Sequence, residues 1–284
     1  MDRRLWRTAS ETRTTLLTII FLIWSGLAAG AQFHLGPLPD LAGWVEGVLL
    51  GLATATVFCS LNRWVPWQNL AGVAVVLGLS SAVAMFGLAR LGPQPSLVAS
   101  ASNVRLDPLP ITRALLGILW MVLILASRGL SRWLLRGVSP SRNYGIWLTT
   151  LSGLLAVGLS LSAAPYVARE AQVWLWGMPG GASLTLGGLG AGLAVWLGLA
   201  LATNILMVPW LLKRKPGPVP EDVPALTVWL ALQGYLFLGN VRHGLGAQIT
   251  LVGGTVAVLV VGAVAARCGG GEPDRHSSEP RQGE

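Results

Sequence analysis

Eight long apolar runs, separated by short stretches rich in polar residues, glycine or proline, most constrain the fold of this chain. A membrane-spanning helix needs about 20 mostly apolar residues, and each run meets or approaches that length. The runs are also too continuously apolar for the alternating strands of a barrel. They cover residues 14–31, 41–61, 69–91, 109–127, 146–163, 187–212, 225–239 and 247–266. The sequence therefore predicts an all-α, polytopic transmembrane helix bundle of about eight spans.

The composition excludes an ordinary soluble domain. Hydrophobic residues make up 53% of the 284 residues, whereas charged residues make up only 11%. Soluble domains carry roughly 25% charged residues, which they need for a hydrated exterior. A bilayer accepts an apolar exterior, so lipid is the expected surrounding of this chain.

The chain divides into a membrane domain, residues 1–266, and a tail, residues 267–284. The tail has no residues able to build a core, and we expect it to be disordered in the cytoplasm.

The first span has a second interpretation as a cleaved signal peptide, because basic residues precede it and Ala29, Gly30 and Ala31 resemble a cleavage site. The length of its apolar stretch and Trp24 favour an uncleaved anchor.

Basic residues predict the orientation. With the N-terminus in the cytoplasm, 15 of the 20 lysines and arginines fall in inner segments, and an even number of spans returns the C-terminus to the same side. The prediction is a multi-pass protein of the inner (plasma) membrane with both termini cytoplasmic. The net charge of +8 then mostly reflects basic residues that keep the inner segments in the cytoplasm. We therefore expect no nucleic-acid partner.

Three arginines recur every fourth residue after the fourth run, namely Arg128, Arg132 and Arg136. Residues four apart share one face of a helix. That face could hold an anionic lipid head group, but we favour side chains that snorkel to water at the inner interface.

Glu46 is the best candidate for chemistry within a span, because ionisable residues in a membrane often mark function. It lies six residues after Asp40, or about 9 Å along a helix. A carboxyl group there could donate a proton to an apolar substrate. The alternative is an interfacial Glu46 that reaches water or pairs with Arg105 or Arg113.

A stripe of small residues beside Glu46 predicts close helix packing, and its members are Gly43, Gly47, Gly51 and Ala55.

The 13 tryptophans offer candidates for substrate contact. Many lie near predicted interfaces, as an aromatic belt does. Trp120 and Trp196 lie within spans, where inward-facing rings could line a tunnel for a polyene or another lipid; ordinary packing is the alternative.

Two cysteines and three histidines show no metal-ligand spacing, so we expect no metal site.

The middle of the chain, roughly residues 105–230, resembles bacterial carotenoid-biosynthesis hydratases, the family of bisanhydrobacterioruberin hydratase and the carotenoid end-group hydratases. The resemblance is a pattern of scattered residues in order rather than one diagnostic motif. Its main elements are Leu109-Pro110 to Trp120, Ala126-Ser127-Arg128-Gly129, Asn143-Tyr144-Gly145, Ala164-Pro165-Tyr166, Trp174-Leu175-Trp176, Trp196 and Val208-Pro209-Trp210.

The resemblance implies an integral membrane protein that adds water across the terminal double bond of acyclic carotenoids. An acid protonates the alkene, water captures the tertiary cation, and aromatic faces stabilise it; no cofactor is required. The candidate acids are Glu46 and Asp107, and the candidate substrate contacts are Trp120, Trp176 and Trp196. Expected partners are the bilayer lipid, a carotenoid or other isoprenoid lipid, and further copies or other pigment enzymes.

The sequence also departs from the family pattern. Ser160 and Ala164 stand where relatives often carry acids, and Gly192 stands where an Asn is expected before Trp196. The chain could therefore be a degenerate member of the family without activity. A second interpretation is a non-enzymatic lipid-binding or scaffold protein. A third is a small-molecule transporter, which we favour less because polar groups near the membrane midplane are few.

Overall fold

Every regular element in the described part of the chain is an α-helix. The computed structural model describes residues 3–34, 39–91, 110–135, 144–170, 186–211 and 223–242. Seven helices lie in these ranges: α1 (Arg3–His34), α2 (Pro39–Asn62), α3 (Trp67–Leu91), α4 (Pro110–Leu134), α5 (Tyr144–Glu170), α6 (Leu186–Leu211) and α7 (Val223–Arg242). They confirm the all-helical prediction and coincide with the first seven apolar runs. The eighth run and the tail after residue 266 lie outside the described residues.

Six helices, α1 to α6, are long and apolar enough to cross a membrane. The shortest helix, α7, has 20 residues but is not one of the six. It carries Gln233, Asn240 and Arg242, which lower its hydropathy. The membrane character of the chain therefore agrees with the sequence, whereas the count of eight spans and the side of each terminus stay predictions.

Helix α4 occupies the centre of the bundle. It packs against α2, α3, α5 and α7, while α1 lies outside against α2 and α7, and α6 lies outside against α3 and α5. Burial is accordingly greatest along α4, where residues 122–132 are all buried. The predicted fourth span stops at residue 127, and the arginines after it were expected on a helix that continues from it. Helix α4 does continue to Leu134, with Arg128 and Arg132 buried inside the bundle.

The outward faces of the peripheral helices are apolar. On α1, Leu16, Ile20, Ile23 and Leu27 are exposed at spacings of three and four residues, which places them on one face. On α3, Val75, Leu79 and Val83 are exposed and also share one face of their helix. Contiguous apolar surface of this kind is unfavourable in water and suits contact with lipid tails.

The two glycines of the predicted small-residue stripe whose surroundings are described do not make close helix contacts. A Cβ at Gly47 would make only ordinary contact with Leu115, and a Cβ at Gly51 would meet no atom within 4 Å. The tight contacts lie at Gly72 on α3, which packs directly on the Trp210 indole, and at Gly153 on α5, whose added Cβ would lie 2.9 Å from Leu201. The prediction of a close approach through the α2 stripe was wrong at Gly51, because that position faces open space.

We predict that Gly72→Ala destabilises the bundle by about 1–3 kcal/mol, the usual range for an overpacked core. A methyl group at Gly72 would collide with the Trp210 ring, and the bond that Asn69 Nδ2 donates to the Trp210 backbone oxygen at 3.0 Å holds the α6 backbone that carries this ring. The measurement is thermal unfolding of the purified protein in detergent.

Gly78→Ala on the same helix is the matched control, since nothing lies within 4 Å of its added Cβ. It should leave the unfolding temperature unchanged or slightly raised. Equal behaviour of the two variants would contradict the assigned packing of α3 on α6.

Candidate functional site

Two predicted substrate-binding tryptophans, Trp120 of α4 and Trp196 of α6, lie in contact. Their ring centroids are 4.8 Å apart and the rings are inclined at 52°, a tilted arrangement that aromatic pairs favour. Both side chains are buried. Trp120 Nε1 donates to Ser80 Oγ at 3.1 Å, and that hydroxyl donates to the Leu77 backbone oxygen at 3.0 Å. The chain of hydrogen bonds fixes the orientation of the Trp120 ring.

The tryptophan pair lines a narrow cavity of about 20 Å³, here called the tryptophan groove. The rest of the lining is almost entirely apolar. It consists of Ala84 and Met85 from α3, Leu116, Leu119 and Leu123 from α4, and Ser160 and Ala163 from α5. The volume is close to the space of one water-sized group. A longer apolar ligand would have to displace flexible side chains such as Met85.

The predicted acid Glu46 lies elsewhere, between α2 and α7. Its Oε1 accepts a hydrogen bond from the Tyr235 hydroxyl at 3.3 Å, and its side chain is partly buried. The next residue, Gly47, faces Leu115 of α4, whose neighbour Leu116 lines the tryptophan groove. Glu46 is not among the residues that line the groove, so α4 intervenes between the carboxyl group and the tryptophan pair.

The remaining predicted site residues, Asp107 and Trp176, lie outside the described residues, as does Arg105. The side chain of Arg113 is not described either. The contact between Glu46 and Tyr235 was missed by the sequence analysis, since no spacing along the chain relates residues on α2 and α7. Within the described ranges, no group of three or more His, Cys, Asp or Glu residues could hold a metal ion.

Arg128 and Arg132 do not snorkel to water, and that prediction was wrong. Their side chains are 5% and 7% exposed. Arg128 Nη1 donates to Asn204 Oδ1 on α6 at 2.9 Å, and the Arg132 guanidinium carbon lies 4.3 Å from the centroid of the Trp64 ring. An amide partner and an aromatic face hold the two cations inside the protein.

Asn204 of α6 does not bond the backbone carbonyl that Pro209 leaves without a donor. The proline in α6 leaves the carbonyl four residues earlier, at Ile205, without its helical donor. Asn204 Nδ2 instead donates to the Ala200 backbone oxygen at 2.9 Å. This bond turns Oδ1 towards Arg128, so Asn204 orients the arginine rather than repairing a kink.

Helix α7 carries a row of buried polar side chains. Gln233 is 1% exposed, and among the described residues neither its amide nitrogen nor its amide oxygen has a hydrogen-bond partner; the same is true of the Trp229 ring nitrogen. Asn240 donates from Nδ2 to the Ser162 backbone oxygen at 3.1 Å, while its Oδ1 accepts no bond from the part of the chain that the structure describes. Unpaired polar atoms of this kind are costly in an apolar interior.

Comparison with protein-family models, with curated proteins and with solved structures finds no match for this chain. The similarity to the carotenoid hydratases therefore remains a hypothesis based on the residues quoted for it.

We predict that Gln233→Met leaves the bundle as stable or stabilises it, by up to about 1–3 kcal/mol, the penalty of an unpaired buried polar group. Met has a similar volume and needs no hydrogen bonds. Thermal unfolding in detergent measures the effect. Gln233→Ala is the comparison, and it should destabilise because it leaves a cavity. A marked loss of stability in Gln233→Met would show that the amide has a partner that the described residues do not provide.

Proposed function

We propose that this chain is a multi-pass membrane protein that binds an extended apolar lipid in the tryptophan groove, and that the lipid is an acyclic carotenoid to which it adds water. The observation that carries the proposal is the contact of Trp120 with Trp196 in an apolar cavity between four helices. Aromatic faces suit a conjugated chain, and they can stabilise a cation formed on it.

Glu46 supplies the acid in this proposal. A carboxyl group within the apolar bundle can protonate an alkene when it is held in its neutral form. Water can then add to the cation, and the added water returns a proton to the carboxylate. The Tyr235 hydroxyl, 3.3 Å from Glu46 Oε1, would orient the carboxyl group. For this reaction the terminal double bond must reach the α2–α7 side of α4 while another part of the chain contacts the tryptophan groove.

A non-enzymatic lipid-binding protein is the second candidate, and one observation favours it. The acid and the tryptophan groove lie on different sides of α4, and none of the described residues that line the groove is an acid. Ser160 lines it at a position where relatives often carry an acid. Binding alone needs only the groove, whereas hydration also needs the acid to meet the substrate.

We predict that expression in a host that accumulates lycopene-type carotenoids yields a water adduct of the pigment, detected by chromatography and mass spectrometry. Glu46→Gln should lower its yield about 10²–10⁴-fold, the range that general acid catalysis contributes. Glu11→Gln is the matched control, because Glu11 is an exposed acid paired with Arg63 and should leave the yield unchanged. Unchanged pigments, with the protein confirmed in the membrane, would exclude the hydratase and leave the binding protein.

A separate prediction concerns binding. Trp196→Leu should weaken retention of a carotenoid on the purified protein roughly tenfold, because the pair loses one aromatic face. Retention is measured by the visible absorbance of the pigment that co-elutes with the protein. Trp67→Leu is the control, since Trp67 is 72% exposed on the outside of α3. If both variants retain pigment equally, the tryptophan groove is not the binding site.

A further inference from the structure

The walls of the tryptophan groove differ in how freely they can move. The Trp120 ring is held by its hydrogen bond to Ser80. The hydroxyl of Ser160, which also lines the groove, donates to the Val157 backbone oxygen at 2.8 Å. Met85 of α3 is a further lining residue, and a methionine side chain is unbranched, with three rotatable bonds. Met85 is therefore a wall that can adapt when a ligand enters the groove.

The sulfur of Met85 rests against Gly117 on α4. A Cβ added at Gly117 would lie 3.0 Å from Met85 Sδ, which is closer than side-chain atoms normally approach. The absence of a side chain at Gly117 thus leaves the space that the thioether occupies. One side of Met85 packs on this glycine and another side lines the groove.

A hydrogen bond holds the two helices together beside this contact. Ser81, one turn before Met85 on α3, donates from Oγ to the Gly117 backbone oxygen at 3.0 Å. A larger residue at position 117 would therefore displace the thioether rather than separate α3 from α4. We expect the displaced thioether to move into the groove, because Met85 lies between Gly117 and the cavity.

The size of the groove makes the position of this one side chain decisive. The cavity of about 20 Å³ holds roughly one water-sized group. The methyl-branched end of an acyclic isoprenoid chain is about as bulky as the outer part of a methionine side chain, which consists of a methylene, the sulfur and a methyl group. Withdrawal of the Met85 thioether would make room for such a chain end beside the Trp120–Trp196 pair.

We propose that Met85, seated on Gly117, is the specificity-determining residue of the tryptophan groove, and that the methyl-branched end of an acyclic isoprenoid enters by taking the place of the thioether. The identity of the ligand rests on the proposed function, whereas the role of Met85 rests on its contacts with Gly117 and with the groove. A chain end is accepted only when the thioether moves out of its way.

The first test compares two variants that change the groove in opposite directions. Full-length protein in detergent is incubated with increasing lycopene, and the pigment that co-elutes is measured by its visible absorbance. Met85→Ala removes the thioether and should bind lycopene about tenfold more tightly than the wild type. Gly117→Ala should bind it about tenfold more weakly, because the displaced thioether overfills the groove.

The double variant shows whether the two residues act through one contact. Without the thioether, the methyl group added at Gly117 would meet Ser81 Cβ at 3.7 Å, an ordinary contact. The variant with both substitutions should therefore bind lycopene as tightly as Met85→Ala alone, a marked departure from additivity. Met121→Ala is the matched control and should bind as the wild type does, since Met121 is also partly buried but does not line the groove.

The proposal is overturned if Met85→Ala and Gly117→Ala both bind lycopene as the wild type does. It is also overturned if the double variant keeps the full loss of Gly117→Ala, because the thioether would then not cause that loss. If Met85→Ala does not fold, Gly117→Ala decides by itself, since its added methyl group meets only the end of a flexible side chain and an ordinary contact.

A second probe separates this proposal from the proposed function. If neither the wild type nor any variant retains lycopene, the proposed function fails, and benzene then tests the groove alone. A small apolar molecule that fills a cavity stabilises the folded state. Benzene should therefore raise the unfolding temperature of Met85→Ala more than those of the wild type and Met121→Ala. Equal shifts in all three proteins would overturn the role of Met85 as a wall of the groove.

Discussion

The need to pair polar groups without water governs this bundle. In lipid, an unpaired backbone or hydroxyl group has no solvent partner, so helices satisfy their backbones internally. The hydroxyl side chains follow the same rule. Thr18, Thr54, Ser152 and Thr203 each donate to the carbonyl four residues earlier in their own helix. The abundant Ser and Thr residues of the spans are therefore mostly satisfied within single helices, and they leave the helix–helix contacts to apolar packing and small residues.

The polar bonds that do cross between helices are few, and they connect specific pairs. Asn69 of α3 bonds the backbone of Trp210 on α6, Ser81 of α3 bonds the backbone of Gly117 on α4 at 3.0 Å, and Asn240 of α7 bonds the backbone of Ser162 on α5. Each is modest in free energy, about 0.6 kcal/mol on average in a membrane protein. These bonds fix the register of neighbouring helices, because apolar surfaces alone permit one helix to slide or rotate on another.

The positions of the helices could be predicted from the sequence, but their contacts could not. Length and hydropathy located α1 to α7, because apolar runs of span length have few alternatives. The spacing of Arg128 and Arg132 predicted that the helix continues past the fourth run, but their burial was not predicted, since both were expected to reach water. The contacts of Trp120 with Trp196 and of Glu46 with Tyr235 depend on the rotation of each helix. A helix that is apolar on nearly every face gives no periodic signal of that rotation.

Two side-chain contacts connect α4 with α6 along one line. Trp120 meets Trp196 and Arg128 meets Asn204, so the same offset of 76 residues applies to both contacts and the two helices run parallel along this line. The contacts are eight residues apart on each helix, or about 12 Å. The aromatic contact and the hydrogen bond therefore fix the register of α6 on α4 at two points, and the bond between Arg128 and Asn204 helps to hold the Trp120–Trp196 pair that lines the tryptophan groove.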